Sequence, residues 1–440
     1  MCVGRLVYNT GMGTNTNNSR AAARTRKMRA RSHRLIKLFI AFILVVLAFL
    51  GGFALRGQSA FLQSLGFPAS VTGLDQTIAS DLAAQSDVYN SVSARMAEVE
   101  TLLASDSLDS YDLAEATGTT LNGLAEASND PYLRYYSPER YTSLLNSQDE
   151  GYAGVGVLFS EYNGKAYVVD VFEGSPAQLE GVREGDFVVS INGDNSQTWS
   201  RSEVAAALSQ EQGSTVVITW RRPESLEADG GEEFTTTLAC EEYNEVNVTT
   251  EYNSERTVGY IKMKQLTQNA SALVQSAIAD LTAQGARSFV LDLRDNPGGY
   301  LSQAVGVASQ FMSSGTVVEI QTVDGQSART ASGQPASPAP LVVITNKNTA
   351  AAAEVVAAAL KESQRATLVG TNTMGKGSVQ VLSELSFGGA LRYTAAYYLT
   401  PEGHAIDQVG VTPEVILEAT GDGDPQKDYA IELAASQVVE

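Results

Sequence analysis

The apolar positions change period along the chain. Leu38–Leu55 is a run of 18 residues, LFIAFILVVLAFLGGFAL, with no charge. At about 1.5 Å per residue it is just long enough to span a bilayer core. Residues 58–145 then place apolar side chains three and four apart, as at Val88, Val92, Met96, Val99, Leu102 and Leu103, which predicts helix. Over 150–223 the spacing shortens. VGVLFSE, KAYVVDVF, DFVVSING and TVVITWRR read as strands, with one helix at RSEVAAALSQ. After the polar linker PESLEADGGEE, alternation resumes at 235–255. From Val258 onward strands and amphipathic helices alternate: VGYIKM, NASALVQSAIADLTAQ, SFVLDL, SQAVGVASQFM, GTVVEIQTV, PLVVITN and AAAEVVAAALKES. Five regions follow: a tail over 1–37, a membrane span over 38–55, an acidic helical arm over 58–145, a small β domain over 150–223 and an α/β core over 235–440.

Charge sharpens this division. Residues 1–37 hold nine bases and no acid, which leaves 21 bases against 50 acids in the remainder. Bases ahead of an apolar run keep the tail in the cytoplasm and send the body outside. The long tail and long run favour an uncleaved signal anchor over a cleaved signal peptide. The expected location is therefore a bacterial-type cell membrane, single-pass, with the bulk extracytoplasmic. An acidic body repels phosphate, so nucleic acid is not an expected partner. Cys2 and Cys240 fall on opposite sides of the membrane and cannot pair within one molecule. The arm is either a plain linker or a surface through which copies assemble.

Histidine is nearly absent. His33 lies in the tail, which leaves His404 alone for a folded domain, and no motif surrounds it. A His/Cys zinc cluster cannot be assembled, and neither a metal nor a cofactor is expected. Any acyl-transfer chemistry then needs another base, and lysine is the candidate. Lys376 sits between glycines in Gly375-Lys376-Gly377-Ser378-Val379-Gln380. Burial there would lower its pKa, and Gln380 could orient it. The segment is not a phosphate loop, because Gly377 occupies the position of the magnesium-binding hydroxyl.

Two further motifs carry chemistry. Gly154-Val155-Gly156-Val157 precedes a strand and can offer successive amides to a terminal carboxylate, while the peptide pairs as an added strand. It is followed by EGSPA at 173–177, GVREGD at 181–186 and ING at 191–193. The second is LDLRDNPGG at 291–299, whose Gly298-Gly299 turn can present amides to an oxyanion.

In this order the blocks resemble those of the C-terminal processing peptidases, or tail-specific proteases, from about residue 120 to 417. The resemblance implies an α/β peptidase core of crotonase-like βα units with an inserted, circularly permuted PDZ domain, preceded by the helical arm and one transmembrane helix. It implies unstructured protein C-termini as partners and a serine/lysine dyad. Carried over, Lys376 is the general base, Gln380 orients it, and the oxyanion donors are Gly298, Gly299 and Ala352. The family pattern before the catalytic helix is Asn-x-x-[Ser/Thr]-Ala-Ser-Ala-[Ser/Ala]-Glu, with the second serine position as nucleophile. Here the segment reads Asn346-Lys347-Asn348-Thr349-Ala350-Ala351-Ala352-Ala353-Glu354, which puts Ala351 at that position. Three readings follow: a peptide-binding pseudo-peptidase, a Ser→Ala copy of an active endopeptidase, or use of another hydroxyl, with Thr349 the nearest. A non-catalytic envelope scaffold is a further alternative.

Overall fold

The computed structural model describes residues 91–146, 154–241, 246–419 and 423–438. The basic tail, the expected span and the first part of the expected arm lie outside these residues. Among the described residues no helix is long and apolar enough to cross a membrane. The chain divides into two units, Met1–Ser110 and Tyr111–Glu440.

The described part of the first unit is helix α1 (Val92–Asp106), which Ser91 caps by accepting the Ala94 amide. None of its residues is buried. Val92, Val99, Leu102 and Leu103 are all exposed.

The second unit opens with α2 (Leu113–Glu126), β1 (Arg134–Tyr136) and α3 (Pro138–Asn146). Helix was expected throughout this stretch, and β1 is a departure from it. Pro131 and Pro138 flank the segment, and each disfavours continued helix. Tyr135 and Tyr136 are good strand formers and are buried. β1 pairs antiparallel with residues 390–392.

The small β domain is a five-stranded antiparallel sheet in the order β2-β3-β4-β5-β6. Its strands are β2 (Val157–Tyr162), β3 (Lys165–Val171), β4 (Phe187–Ile191), β5 (Thr215–Arg222) and β6 (Glu232–Ala239). Short α4 (Pro176–Leu179) and α5 (Arg201–Leu208) complete it. Burial along β5 alternates from Val216 through Ile218 to Trp220, the two-residue period of a strand with one face inward. Trp220 stacks on Phe159, with ring centroids 6.2 Å apart. β6 pairs with β5 from Thr215–Ala239 to Arg222–Glu232, so residues 235–239 belong to this domain and not to the core. The domain's chain ends meet, because Gly154 and Glu241 exchange both backbone hydrogen bonds, at 2.8 and 2.7 Å.

The core is a six-stranded sheet in the order β16-β13-β12-β9-β8-β7. It comprises β7 (Val248–Asn253), β8 (Val258–Met263), β9 (Ser288–Asp292), β12 (Leu341–Thr345), β13 (Ala366–Gly370) and β16 (Val415–Ile416). All neighbours are parallel except β7, which is antiparallel to β8. β9 and β12 are buried at every position, as central strands covered on both faces must be. One face packs on α6 (Ala270–Gln284), α7 (Leu301–Ser309) and α8 (Ala352–Glu362). The other face packs on Ala430, Ile431 and Ala434 of α9 (Pro425–Ser436). A second sheet holds β1, β10 (Thr316–Thr322), β11 (Gly325–Thr330), β14 (Ser378–Glu384) and β15 (Ala390–Leu399).

Helix α6 ends where Gly285 turns left-handed, at φ 108°. A Cβ there would stand 2.9 Å from the Tyr252 hydroxyl. Gly285→Ala is therefore expected to cost about 1 kcal/mol or more, read as a lower urea midpoint at unchanged slope.

Candidate active site

The loops after β9, β12 and β13 all leave the same carboxyl edge of the parallel sheet, where ligands bind in open α/β folds. Hydrogen bonds lock the three together. Ala350 donates its amide to Asn296 O, at 2.9 Å, and Met374 donates to Thr349 O, at 3.0 Å. Thr349 Oγ1 donates to Leu293 O, at 2.8 Å, and accepts the Asn346 amide. That hydroxyl is fully committed to holding the turn, which removes Thr349 as a substitute nucleophile. Ser378 is likewise engaged, accepting from Gln380 Nε2 at 2.9 Å.

Ala351 stands at the junction of this turn with α8. Its backbone has φ 53° and ψ −121°. Positive φ in a residue with a Cβ stores about 1–3 kcal/mol of strain, and such strain collects at functional turns. Strand, strained turn and helix form the arrangement that projects a nucleophile in many hydrolases. Here the position carries only a methyl group.

Behind it lies Glu354, which is fully buried. One carboxylate oxygen accepts the amides of Ala351 and Lys376, both at 2.8 Å. The other accepts the Thr373 hydroxyl at 2.5 Å and the Gly375 amide at 2.7 Å. Burial pushes the Glu354 carboxyl up to about 7, against the lowering effect of these four donors. The carboxylate thus ties the residue-351 turn directly to the lysine segment. Three residues past the N-cap it reaches back to the Ala351 amide as the acid of a capping box does, but with alanine at the N-cap the sequence carries no capping-box signal for it.

Lys376 is 11% exposed at its side chain. Burial lowers its pKa to about 8; the Glu161 carboxylate pulls upward, and Arg392 adds to the lowering. Its Nζ lies 3.8 Å from Glu161 Oε2 and 5.5 Å from the centre of the Tyr132 ring. Arg392 Nη2 donates to Glu161 Oε1 at 2.8 Å. Burial works to raise the Glu161 carboxyl, but Lys376, Arg392 and Arg134 outweigh it and hold it at about 2. Glu161 belongs to β2, so the small β domain reaches into the lysine's surroundings. Nothing in the local sequence marks Glu161 or Arg392. Tyr132 has only the preceding Asp130-Pro131 turn as a signal.

Gln380 does not take its expected place. Its amide goes to Ser378, and no hydrogen bond joins it to Lys376 among the described residues. The β14–β15 register shifts between Val379 and Gln380, with the extra residue, Ala395, on β15.

The Gly298-Gly299 turn lies against the Ala351 turn. A Cβ on Gly298 would come within 2.7 Å of Ala350 O and 2.9 Å of Ala352 N. Only glycine permits that approach. The Gly298 amide, however, donates to Asn296 Oδ1 at 2.9 Å, so it is not an oxyanion donor in this arrangement. The amides of Gly299 and Ala352 have no acceptor among the described residues. The same turn is anchored from below by Arg294, whose guanidinium forks onto Asp292 and Asp424.

In the small β domain, β2 lies at the sheet edge. Of the Gly154–Val157 segment, Gly154 is used in the pairing with Glu241, and Val155 is buried in the domain core. The carbonyls of Val155 and Gly156 accept the Ala177 and Phe172 amides. The amides of Val155 and Gly156 have no acceptor among the described residues, and Val157 opens β2.

The profile of Peptidase family S41 matches residues 257–417, and that of a PDZ domain matches 167–222. The carboxyl-terminal-processing protease of Synechocystis sp. is 33% identical over 338 residues, covering 74% of this chain and 78% of the relative. The protein of the same name from Picosynechococcus sp. is 36% identical, covering 66% and 70%. The solved photosystem II D1 C-terminal processing protease superposes with a TM-score of 0.61 at 28% identity, covering 80% of this chain and 93% of that one. A buried lysine, a Gly-Gly turn against a strained helix start and a PDZ sheet with β2 at its edge thus occur in a chain that belongs to the carboxyl-terminal-processing serine peptidases of family S41.

Proposed function

We propose that this chain captures the unstructured carboxyl termini of proteins and does not cleave them. The observation that carries this reading is Ala351. It occupies the strained turn beside the Gly298-Gly299 loop, and Glu354 links it to the lysine segment. The base and the oxyanion amides of Gly299 and Ala352 are retained, while the attacking oxygen is missing. Thr349 and Ser378 are the neighbouring hydroxyls, and both are engaged. Capture is supported by the β2 edge and the Val155 and Gly156 amides, which suit strand addition with a terminal carboxylate at one end.

Two features of the sequence extend the proposal. The charge-free run Leu38–Leu55 behind nine bases supports a single membrane anchor with the PDZ domain and core outside. The exposed apolar side chains of α1 support assembly of copies through the helical arm.

An unstructured peptide with a free carboxyl end is expected to bind the full chain about ten- to a hundredfold more tightly than its amidated twin. Mass spectrometry of the incubated peptide should recover it intact. Cleavage by the unmodified protein, abolished by Lys376→Ala, would refute the reading. Equal binding of the two peptides would remove the PDZ domain from recognition.

A further inference from the structure

At the far end of α8 from Ala351, three potential ligands converge from separate parts of the chain. Glu362 is the last residue of the helix, and Glu402 and His404 lie on the turn that follows β15. One oxygen of each carboxylate and one imidazole nitrogen lie within 4.8 Å of one another. His404 Nδ1 is 3.3 Å from Glu362 Oε1. Ligand atoms sharing one tetrahedral zinc stand about 3.3–3.5 Å apart, given bonds of about 2.0–2.2 Å. The turn is rigidly tied: Thr400 donates its amide to His404 O, at 2.8 Å, and Gly403 donates to Thr400 O, at 2.9 Å. The Glu402 amide donates to Glu362 Oε2 at 2.8 Å and fixes that carboxylate.

A second observation concerns charge. Glu362 stands where the helix macrodipole is negative, the unfavourable end for an acid. Its side chain is only 14% exposed. The one base in the helix's last turn, Lys361, donates to Thr412 O instead. Among the described residues, neither Glu362 nor Glu402 is paired with lysine or arginine, and His404 is the single counter-group. Among the described residues, Glu362 thus has His404 as its one charged partner, and the exposed Glu402 carboxylate has no ion pair.

We propose that Glu362, Glu402 and His404 form a binding site for a divalent transition-metal ion of the zinc type. One imidazole and two carboxylates suit such an ion better than magnesium or calcium, which take oxygen ligands alone. Water would complete the coordination. The ion would fasten α8, whose other end carries Ala351 and Glu354, to the loop supporting the lysine segment. In that loop Gln408 donates to Gly375 O at 2.7 Å, and Asp407 accepts the Gly377 amide at 3.1 Å.

The full chain, stripped with a chelator, would be titrated with ZnCl2 and with CoCl2 by calorimetry and visible absorption. One saturable site is expected, with a cobalt spectrum of nitrogen ligation and a zinc-dependent rise in Tm. His404→Ala and Glu402→Gln, both exposed positions, should each weaken zinc by about tenfold or more, the scale reached even by partners outside a metal's ligand shell. His33→Ala should leave it unchanged. No saturable site, or equal affinity in His404→Ala, would overturn the proposal.

Discussion

Ala351→Ser is expected to turn the protein into a peptidase. The unmodified chain should leave a carboxyl-terminally tagged, unfolded substrate intact, whereas the variant should cleave it at least about a thousandfold faster. The ceiling is set by the roughly million-fold loss that follows removal of a serine protease's nucleophile. The surroundings favour recovery. The backbone at residue 351 already holds the strained conformation of a projecting nucleophile. Two unoccupied amides flank it, and Glu354 fixes its distance from the lysine segment. Lys376 must be neutral to accept the serine proton. With its pKa lowered to about 8, the variant's rate should rise with pH and level off above that value. Lys376→Ala in the same background should return the rate to baseline. Glu161→Gln should move the midpoint downward, because the Glu161 carboxylate favours the charged lysine. Failure of Ala351→Ser to cleave, with folding intact, would mean that more than the hydroxyl has been lost.

Glu354→Ala should be the most damaging single change to the fold. It strips the acceptor from four donors at once: the amides of Ala351, Gly375 and Lys376 and the hydroxyl of Thr373. Each buried donor left unpaired costs about 1–3 kcal/mol, so a loss of about 4 kcal/mol or more is expected. That is a large part of the about 5–15 kcal/mol that holds a typical domain folded. Glu354→Gln keeps the shape and should show an intermediate loss in a urea titration. A carboxyl raised from 4.5 to about 7 is protonated in the folded state over a range where it is ionised in the unfolded chain. Its contribution is complete below 4.5 and fades as pH climbs through 7. The unmodified chain should therefore lose stability relative to Glu354→Gln across that window and run parallel to it above.

Much of this was legible because local pattern and tertiary role agree. The unbroken apolar runs at Phe289–Leu291 and Leu341–Ile344 became the central strands, since a strand covered on both faces needs no alternation. The turn signals Gly174-Ser175-Pro176 and Asn192-Gly193 placed the PDZ elements, and the family resemblance picked out Ala351 and Lys376. What escaped depends on partners far along the chain. The alternation at 235–239 announced a strand but could not say which sheet it would join. Residues 134–136 sit inside a helical pattern and become a strand because residues 390–392 offer an edge. The four-residue spacing from Lys376 suggests Gln380 as its partner, but the fold gives its amide to Ser378. Glu161 is an ordinary strand acid until the fold brings Lys376 and Arg392 to it.

The paired backbones of Gly154 and Glu241 have a further consequence. The PDZ domain departs from and returns to the core at one doorway, so its interior length is invisible to everything outside. Loops inside it can grow or shrink, and a different module of the same kind can be spliced in, without respacing the peptidase sheet. The exchange must preserve the contacts that cross to the rest of the unit, among them an acid at position 161 for Lys376 and Arg392, Glu203 for Arg134 and Arg140, Asp170 for Lys264 and Glu184 for Asn348. Recognition can thus diversify while the chemistry beneath it stays still.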